Sequence, residues 1–287
     1  MSQLIQMRQR IKAISTIRKI TSAMRLISRS FHTRMYRDRH HLQEYRQTLS
    51  QIFHKITAYS PSWNLPTFLQ TADVPPKELY IIIGSQKGLC GGFNTTITHW
   101  IDKNRERLVN PTSHVIVLGK KMDEYLKKQG VTHPRLLPEL KLTTLDTLLQ
   151  DLLKEITTPS ARYTKVVTVA NCPKTFLSHE YKETQLIPFV APEPLEGSEL
   201  FDYVPSHSAD LVLDTLVNMH LMITIHSILF ESLLGEQAAR FIAMDNATRN
   251  ANNFLEVMNL QFNKMRQAKI TKELAELAGA FETQSAI

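Results

Sequence analysis

Proline divides this chain more sharply than any other residue type. All thirteen prolines lie between Pro61 and Pro205, and seven of the nine glycines fall in the same central stretch. Because proline costs roughly 3 kcal/mol inside a helix and glycine about 1 kcal/mol, the two proline-free ends can form helices that the middle cannot. The distribution predicts three segments: a helix in residues 1–60, a mixed domain in residues 61–205 and a helix in residues 206–287.

Apolar residues recur along the first segment at steps of three and four. They are Leu4, Met7, Ile11, Ile14, Ile17, Ile20, Met24, Ile27, Phe31 and Met35. This spacing places them on one stripe of a helix. The steps slip between Ile14 and Ile20, which favours an imperfect coiled coil over a strict zipper. A helix over most of residues 2–58 would reach roughly 80 Å.

The last segment has the same character. Ser206 or Ser208 can cap its start, with Asp210 in the first turn. Gly235 is expected to weaken the helix without ending it, and residues 208–283 would then span about 110 Å. A lone amphipathic helix has nowhere to bury its apolar stripe. The two terminal helices are therefore expected to pack on each other or on a partner, and the simplest arrangement is an antiparallel pair that forms a coiled coil.

The middle segment alternates between strand and helix patterns. Helical patterns lie near residues 95–109, 120–129 and 142–157. The short apolar runs that predict buried strands are Leu79–Ile83, Val115–Leu118, Lys165–Val169 and Gln185–Val190. The alternation predicts a largely parallel, three-layer α/β domain, so the fold class is α/β plus long helices. The proline-rich residues 188–205 are expected to link this domain to the last helix.

Positive charge is concentrated at the N-terminus. Residues 1–46 carry eleven basic and two acidic residues, a net +9, whereas the whole chain carries +7. Basic helices bind nucleic acid, membrane surfaces or acidic protein surfaces. A basic coiled-coil nucleic-acid-binding protein is therefore one hypothesis, although sparse aromatic residues disfavour base stacking. The arginine-rich start also fits a mitochondrial transit peptide, but the apolar stripe that continues past residue 31 favours a mature helix.

No constellation of residues indicates catalysis, a metal site or a cofactor site. The loop Gly84–Gly92 lies where a phosphate-binding loop would sit, between a strand and a helix. Its Lys87 precedes Gly88, however, so the loop matches neither phosphate-binding pattern. A structural turn is favoured, and a nucleotide-binding enzyme is the weaker alternative. The longest apolar run, Leu221–Phe230, is about ten residues long and too short to cross a membrane.

Four short motifs follow one another along the chain in a fixed order. They are Arg10–Lys12 with Arg18–Met24, Gly88–Asn94, Glu236–Thr248 and Arg266–Leu274. Together they resemble the gamma subunit of F-type ATP synthases. The resemblance covers the whole chain and is strongest in the last 60 or so residues.

The resemblance implies an antiparallel coiled coil of the terminal helices with a Rossmann-like α/β domain at its base. It implies a central rotor shaft that couples ion flow to ATP synthesis or hydrolysis, without a catalytic residue or cofactor of its own. The implied partners are the alpha and beta subunits, the epsilon subunit and the membrane c-ring, with no nucleic acid and no direct membrane insertion. The implied location is the cytoplasmic face of the bacterial inner membrane, with the mitochondrial matrix face as the weaker alternative.

The resemblance also implies which residues touch other subunits. Basic residues of the first helix would meet an acidic loop on each beta subunit, which transmits a push without a fixed interlock. The arginine and glutamine of the last motif would form a polar latch with a beta subunit. The expected contact residues are Arg18, Lys19, Met24, Arg25, Arg29, Arg266, Gln267 and Thr271.

The chain departs from the family pattern at several of these positions. Arg18 stands where the family commonly has glutamine, and Ser22 where it has lysine. Lys87 replaces the usual arginine before the glycine-rich motif. These departures suggest a divergent branch, such as a second ATPase in its organism, and leave the coupling ion undetermined.

Overall fold

The computed structural model describes residues 3–57, 60, 62–66, 69–70, 76–131, 134–158, 162–175, 178–189, 191 and 208–285. The chain forms two compact units. Met1–Ile27 and Phe241–Ile287 form the first, which we call the helical-pair unit. Ser28–Arg240 form the second, which we call the sheet unit. The three-segment division at residues 60 and 205 stays a prediction.

Two long helices occupy the chain ends, as the proline distribution predicts. Helix α1 runs over Gln3–Thr57 and helix α6 over Ala209–Ser285. Gly235 lies inside α6 without breaking it. A Cβ atom at this position would lie 3.5 Å from the Phe93 ring. A methyl group would therefore fit at this position in ordinary van der Waals contact with that ring.

The sheet unit holds a five-stranded sheet with the strand order β3-β2-β1-β4-β5. The strands are β1 (Glu78–Ile83), β2 (Ser113–Leu118), β3 (Arg135–Leu136), β4 (Lys165–Pro173) and β5 (His179–Ile187). The connecting helices are α2 (Phe93–Lys103), α3 (Arg105–Val109), α4 (Lys120–Lys128) and α5 (Leu145–Thr157). Strands β1 to β4 pair in parallel, and β5 pairs antiparallel with β4.

Apolar side chains cover both faces of this sheet. Tyr80 and Ile82 of β1 belong to a core that includes residues of α2 and α4. Leu79, Ile81 and Ile83 belong to a second core with residues of α5 and of the first part of α6. A strand buried on both faces reads as a continuous apolar run, which is why the sequence revealed β1. The predicted three layers and largely parallel sheet are confirmed.

The strand at the antiparallel edge departs from the prediction. Strand β5 begins at His179, well before the predicted start at Gln185. The prediction missed the early part of the strand because most of its residues there are polar and exposed and give no apolar pattern. The two-residue strand β3 is too short to leave a periodic signal. Most of the predicted linker in residues 188–205 lies outside the described residues.

Among the described residues, one helix is long and apolar enough to cross a membrane by length and composition, within Ala209–Ala278. The apolar run Leu221–Phe230, identified from the sequence, lies within this helix and is shorter than its qualifying window. About 44% of the qualifying window is buried inside the protein. Leu213, Leu221 and Leu229 of this helix are among the buried core residues of the sheet unit. That packing is sufficient reason for its apolar composition.

Candidate subunit-coupling surfaces

The helical-pair unit is held together by one antiparallel seam. Thr21 lies beside Thr248, Arg25 beside Asp245, and the Arg8 guanidinium lies 5.8 Å from the centroid of the Phe262 ring. On each helix, one set of buried and half-buried positions alternates between steps of three and four, which is the spacing of a coiled coil. They are Leu4, Met7, Ile11, Ile14, Arg18, Thr21 and Arg25 on α1, and Met244, Thr248, Ala251, Leu255, Met258, Phe262 and Met265 on α6.

The apolar stripe predicted for α1 leaves this seam after Ile14. Ile17, Ile20 and Ile27 are exposed, Ile17 at 53% and Ile27 at 67%. These three members of the predicted stripe therefore lie outside the seam of the helical-pair unit. Between Ile14 and Ile20 the spacing of the apolar residues changes, but the spacing of the seam does not. The seam therefore continues through Arg18, Thr21 and Arg25. An exposed apolar stripe remains on the outside of the unit.

A polar clasp occupies the seam where the apolar residues leave it. The hydroxyl oxygens of Thr21 and Thr248 lie 3.0 Å apart. Arg25 Nη1 donates to Asp245 Oδ1 at 2.9 Å, and Arg249 reaches the other oxygen of Asp245 at 2.7 Å. The clasp explains why Arg25, predicted as a contact with another subunit, is half-buried. Its charge is already compensated inside the chain.

The clasp predicts how the helical pair responds to acid. The hydrogen bond from Arg25, together with Arg249, lowers the pKa of Asp245 below its ordinary value near 3.8. A carboxylate with a lowered native pKa stabilises the fold above its ordinary pKa and loses that contribution as the pH falls through the native value. We expect Asp245→Asn to lower the melting temperature of the full chain at pH 7, with a smaller difference from the wild type at pH 3.

Circular dichroism melting at both pH values checks this expectation. Glu256→Gln is the matched control, because Glu256 is an exposed carboxylate on the same helix. A destabilisation by Asp245→Asn that is equally large at pH 7 and pH 3 would show that ionisation of Asp245 is not what stabilises the clasp.

The predicted latch residues lie on the exposed side of α6. Arg266, Gln267 and Thr271 are exposed, and the Thr271 hydroxyl donates to the backbone carbonyl of Gln267 at 3.0 Å. Within the described part of the chain, Arg266 has no hydrogen-bonding or ion-pair partner. Ile270 and Leu274 are exposed on the same side at helical spacing. Polar donors and an apolar stripe thus lie side by side on one helix.

The remaining predicted contact residues differ in exposure. Lys19 and Arg29 are exposed, whereas Arg18 and Met24 are half-buried. Arg29 belongs to the sheet unit, and the other three belong to the helical-pair unit.

The glycine-rich loop after β1 is a turn filled by its own side chains. The Ser85 amide donates to Asn94 Oδ1 at 3.0 Å, and Asn94 Nδ2 donates to Ser85 Oγ at 2.7 Å. An amide used in this way is not available to a phosphate. Leu89 has a φ of 64° and is 60% exposed. A non-glycine residue in this conformation is uncommon, and here it displays an apolar side chain on the surface.

The fold brings two of the sequence motifs together inside the sheet unit. Cys90 and Phe93 of the glycine-rich motif pack with Ala239 of α6. Next to Ala239 on the chain, Arg240 donates to Glu236 in a pair whose members are both buried. Burial raises the pKa of the Glu236 carboxyl, and Arg240 opposes that shift. The motif letters alone did not reveal this pair, although a glutamate and an arginine four residues apart are a usable signal.

Sequence reasoning also missed Asp245 and Thr248 as clasp residues. Both fall within the motif Glu236–Thr248. The partner of Asp245, Arg25, lies 220 positions away along the chain. Only the packing of the two helices assigns such a pair.

Comparison with known proteins gives consistent results. A family model described as ATP synthase matches residues 3–283. The chain is 32% identical to an ATP synthase gamma chain of Clostridium novyi, with 98% of each chain covered. It is 28% identical to the ATP synthase gamma chain of Geobacter metallireducens, with 99% of each covered.

Solved structures resemble the fold as well. A chain of the Euglena gracilis mitochondrial ATP synthase rotor matches with a TM-score of 0.64 and 18% identity, covering 93% of this chain and 98% of that one. A chain of the Tetrahymena thermophila central stalk and c-ring matches with a TM-score of 0.55 and 17% identity, covering 79% and 99%. At these identities the likeness establishes the fold.

Proposed function

Because this chain belongs to the ATP synthase gamma chain family, we propose that the exposed stripes of its helical-pair unit are the surfaces through which it exchanges force with other subunits. The chain is the central rotor shaft of a rotary ATP synthase, which couples ion flow to ATP synthesis or hydrolysis. The nucleic-acid alternative has no support among these relatives.

The observation that carries the proposal is the apolar surface of the helical-pair unit. Besides the isoleucines of α1, large exposed apolar residues continue along α6 as Phe254, Val257, Leu260, Ile270, Leu274 and Leu277. Exposed apolar surface of this extent marks an interaction site. Apolar contact is non-directional, so a shaft can turn against it without breaking a fixed set of hydrogen bonds. Met24 belongs to the stripe on α1 and is proposed to share the contact.

The exposed cations would supply the electrostatic part of the contact. Lys19 and Arg29 are available to an acidic loop of a beta subunit, and half-buried Arg18 presents part of its side chain. Complementary charge of this kind steers and orients subunits more than it adds affinity. Arg25 has a different proposed role, since Asp245 holds it in the seam. It stiffens the pair that transmits torque.

The latch would form at the last motif. Arg266 offers a planar guanidinium with five donors, and Gln267 adds an amide beside it. Both are exposed beside an apolar stripe. Thr271 bonds the carbonyl of Gln267 and would hold the helical turn that carries the latch. The proposed acceptors are carboxylate and carbonyl groups of a beta subunit.

The proposed assembly places the alpha and beta subunits around the helical-pair unit, and the epsilon subunit and the membrane c-ring at the sheet unit. The chain is a peripheral component of a membrane-bound ATP synthase. Its proposed side is the cytoplasmic face of the bacterial inner membrane.

Isolation of the complex from cells tests the proposal. We expect an affinity-tagged copy of this chain to retain the alpha, beta, epsilon and c subunits. When the gene is deleted, the complex purified through a tag on the alpha subunit that this chain retains is expected to show no ion-coupled ATPase activity, with activity restored by the wild-type gene. A fully coupled enzyme purified from the deletion strain would overturn the assignment of the shaft.

A further inference from the structure

A basic groove of about 480 Å³ lies in the sheet unit, between α1, the end of β4 and α6. Small-molecule sites commonly have about this volume. Arg37, Arg39 and Lys174 line it. Within the described part of the chain, no aspartate or glutamate is among its lining residues. None of these residues belongs to the contact surfaces proposed above.

The cations of the groove are only partly neutralised. Glu231 lies 3.8 Å from Arg39, and Glu180 lies 3.3 Å from Lys174, both from outside the lining of the groove. Arg39 Nε is buried and has no hydrogen-bond partner in the described residues. A buried donor without a partner costs free energy. Arg39 lines the groove with the exposed part of its side chain, so an anionic oxygen there would add a counter-charge to its guanidinium.

An aromatic wall adjoins the cations. The rings of His32 and Tyr36, one turn apart on α1, stack with centroids 5.9 Å apart and an angle of 22° between their planes. Burial lowers the pKa of His32, which favours the neutral form of this ring. Aromatic side chains provide stacking surfaces for nucleobases with little regard to base identity. Buried Leu234 adds apolar surface to the groove.

We propose that this groove binds a nucleoside phosphate, with the base against Tyr36 and the phosphates on Arg37, Arg39 and Lys174. Charge-assisted hydrogen bonds to phosphate favour arginine because its donors form a planar fork. The site is separate from the turn Gly84–Gly92, whose Ser85 amide is already bonded to Asn94. It does not depend on the role of the chain as a shaft.

Isothermal titration of the purified full chain with ADP, without added divalent cation, tests the proposal. We expect saturable binding that Arg39→Gln weakens about tenfold or more, since it removes a charge-assisted bond. Arg34→Gln is the matched control, because Arg34 is an exposed arginine on the same helix outside the groove. Lys87→Gln controls for the glycine-rich turn. Both controls are expected to leave ADP affinity unchanged.

Tyr36→Leu separates the two halves of the site. It should weaken ADP without changing the affinity for inorganic phosphate. Circular dichroism melting must show that each variant is folded as the wild type is. Lack of saturable ADP binding, equal weakening by Arg34→Gln or Lys87→Gln, or binding confined to anionic lipid vesicles would each overturn the proposal. Loss of ADP binding would leave subunit assembly unaffected, so the two proposals fail independently.

Discussion

Replacing Glu236 with leucine is expected to lower the free energy of unfolding of the full chain by about 3–5 kcal/mol. Glu236 and Arg240 are only 8% and 7% exposed. Removal of the carboxylate leaves the buried guanidinium without its counter-charge. A buried charge that loses its partner is far more costly than a surface charge that does so. Chemical denaturation followed by circular dichroism measures the loss.

Two further variants show whether burial is the cause. The double variant Glu236→Leu with Arg240→Leu should recover much of the loss, because no unpaired charge remains. Glu273→Leu breaks an exposed pair with Lys269, also four residues apart and at 3.3 Å. It should cost less than about 1 kcal/mol. A similar loss from Glu236→Leu and Glu273→Leu would contradict the importance assigned to the buried pair.

Arg266→Ala is expected to reduce ion-coupled ATP turnover of the assembled complex roughly tenfold or more. The estimate takes the proposed latch as at least one charge-assisted hydrogen bond to a beta subunit. The isolated chain should keep its melting temperature, because Arg266 is exposed and lacks a partner among the described residues. Coupled turnover is measured in membrane vesicles with an imposed ion gradient.

Lys264→Ala is the matched control for the latch. Lys264 is an exposed cation two positions away on the same helix, and about 200° around its axis from Arg266. Its removal changes net charge equally and should leave turnover near the wild-type value. If both variants turn over at the wild-type rate in a fully assembled complex, the latch assignment is wrong. If both variants are equally slow, the loss of a positive charge explains the lower turnover, and the loss of a specific latch does not.

The sequence revealed most of the sheet unit because its strands are buried. Predicted strands at Leu79–Ile83 and Val115–Leu118 fall within β1 and β2. The early part of β5 escaped prediction because exposed polar residues carry no burial signal. The latch residues could be named from their motif, and the structure leaves them exposed. What they contact in the complex stays a prediction.

By itself, the sequence determined the two long helices and the family. Proline in a helix removes a hydrogen bond and clashes with the preceding turn. The proline-free ends and the proline-rich middle can therefore be distinguished from the sequence alone. Four motifs in order identify a family in the same direct way.

Only the tertiary structure decided which face of α1 is the inside. The middle part of the apolar stripe, with Ile17 and Ile27, lies outside, while Arg25 lies in the seam. A helix buries the side that its partner complements, and the partner Asp245 is 220 positions away. The local pattern contains no information about a contact at that distance. The outward stripe is the surface that the shaft is proposed to present to its complex.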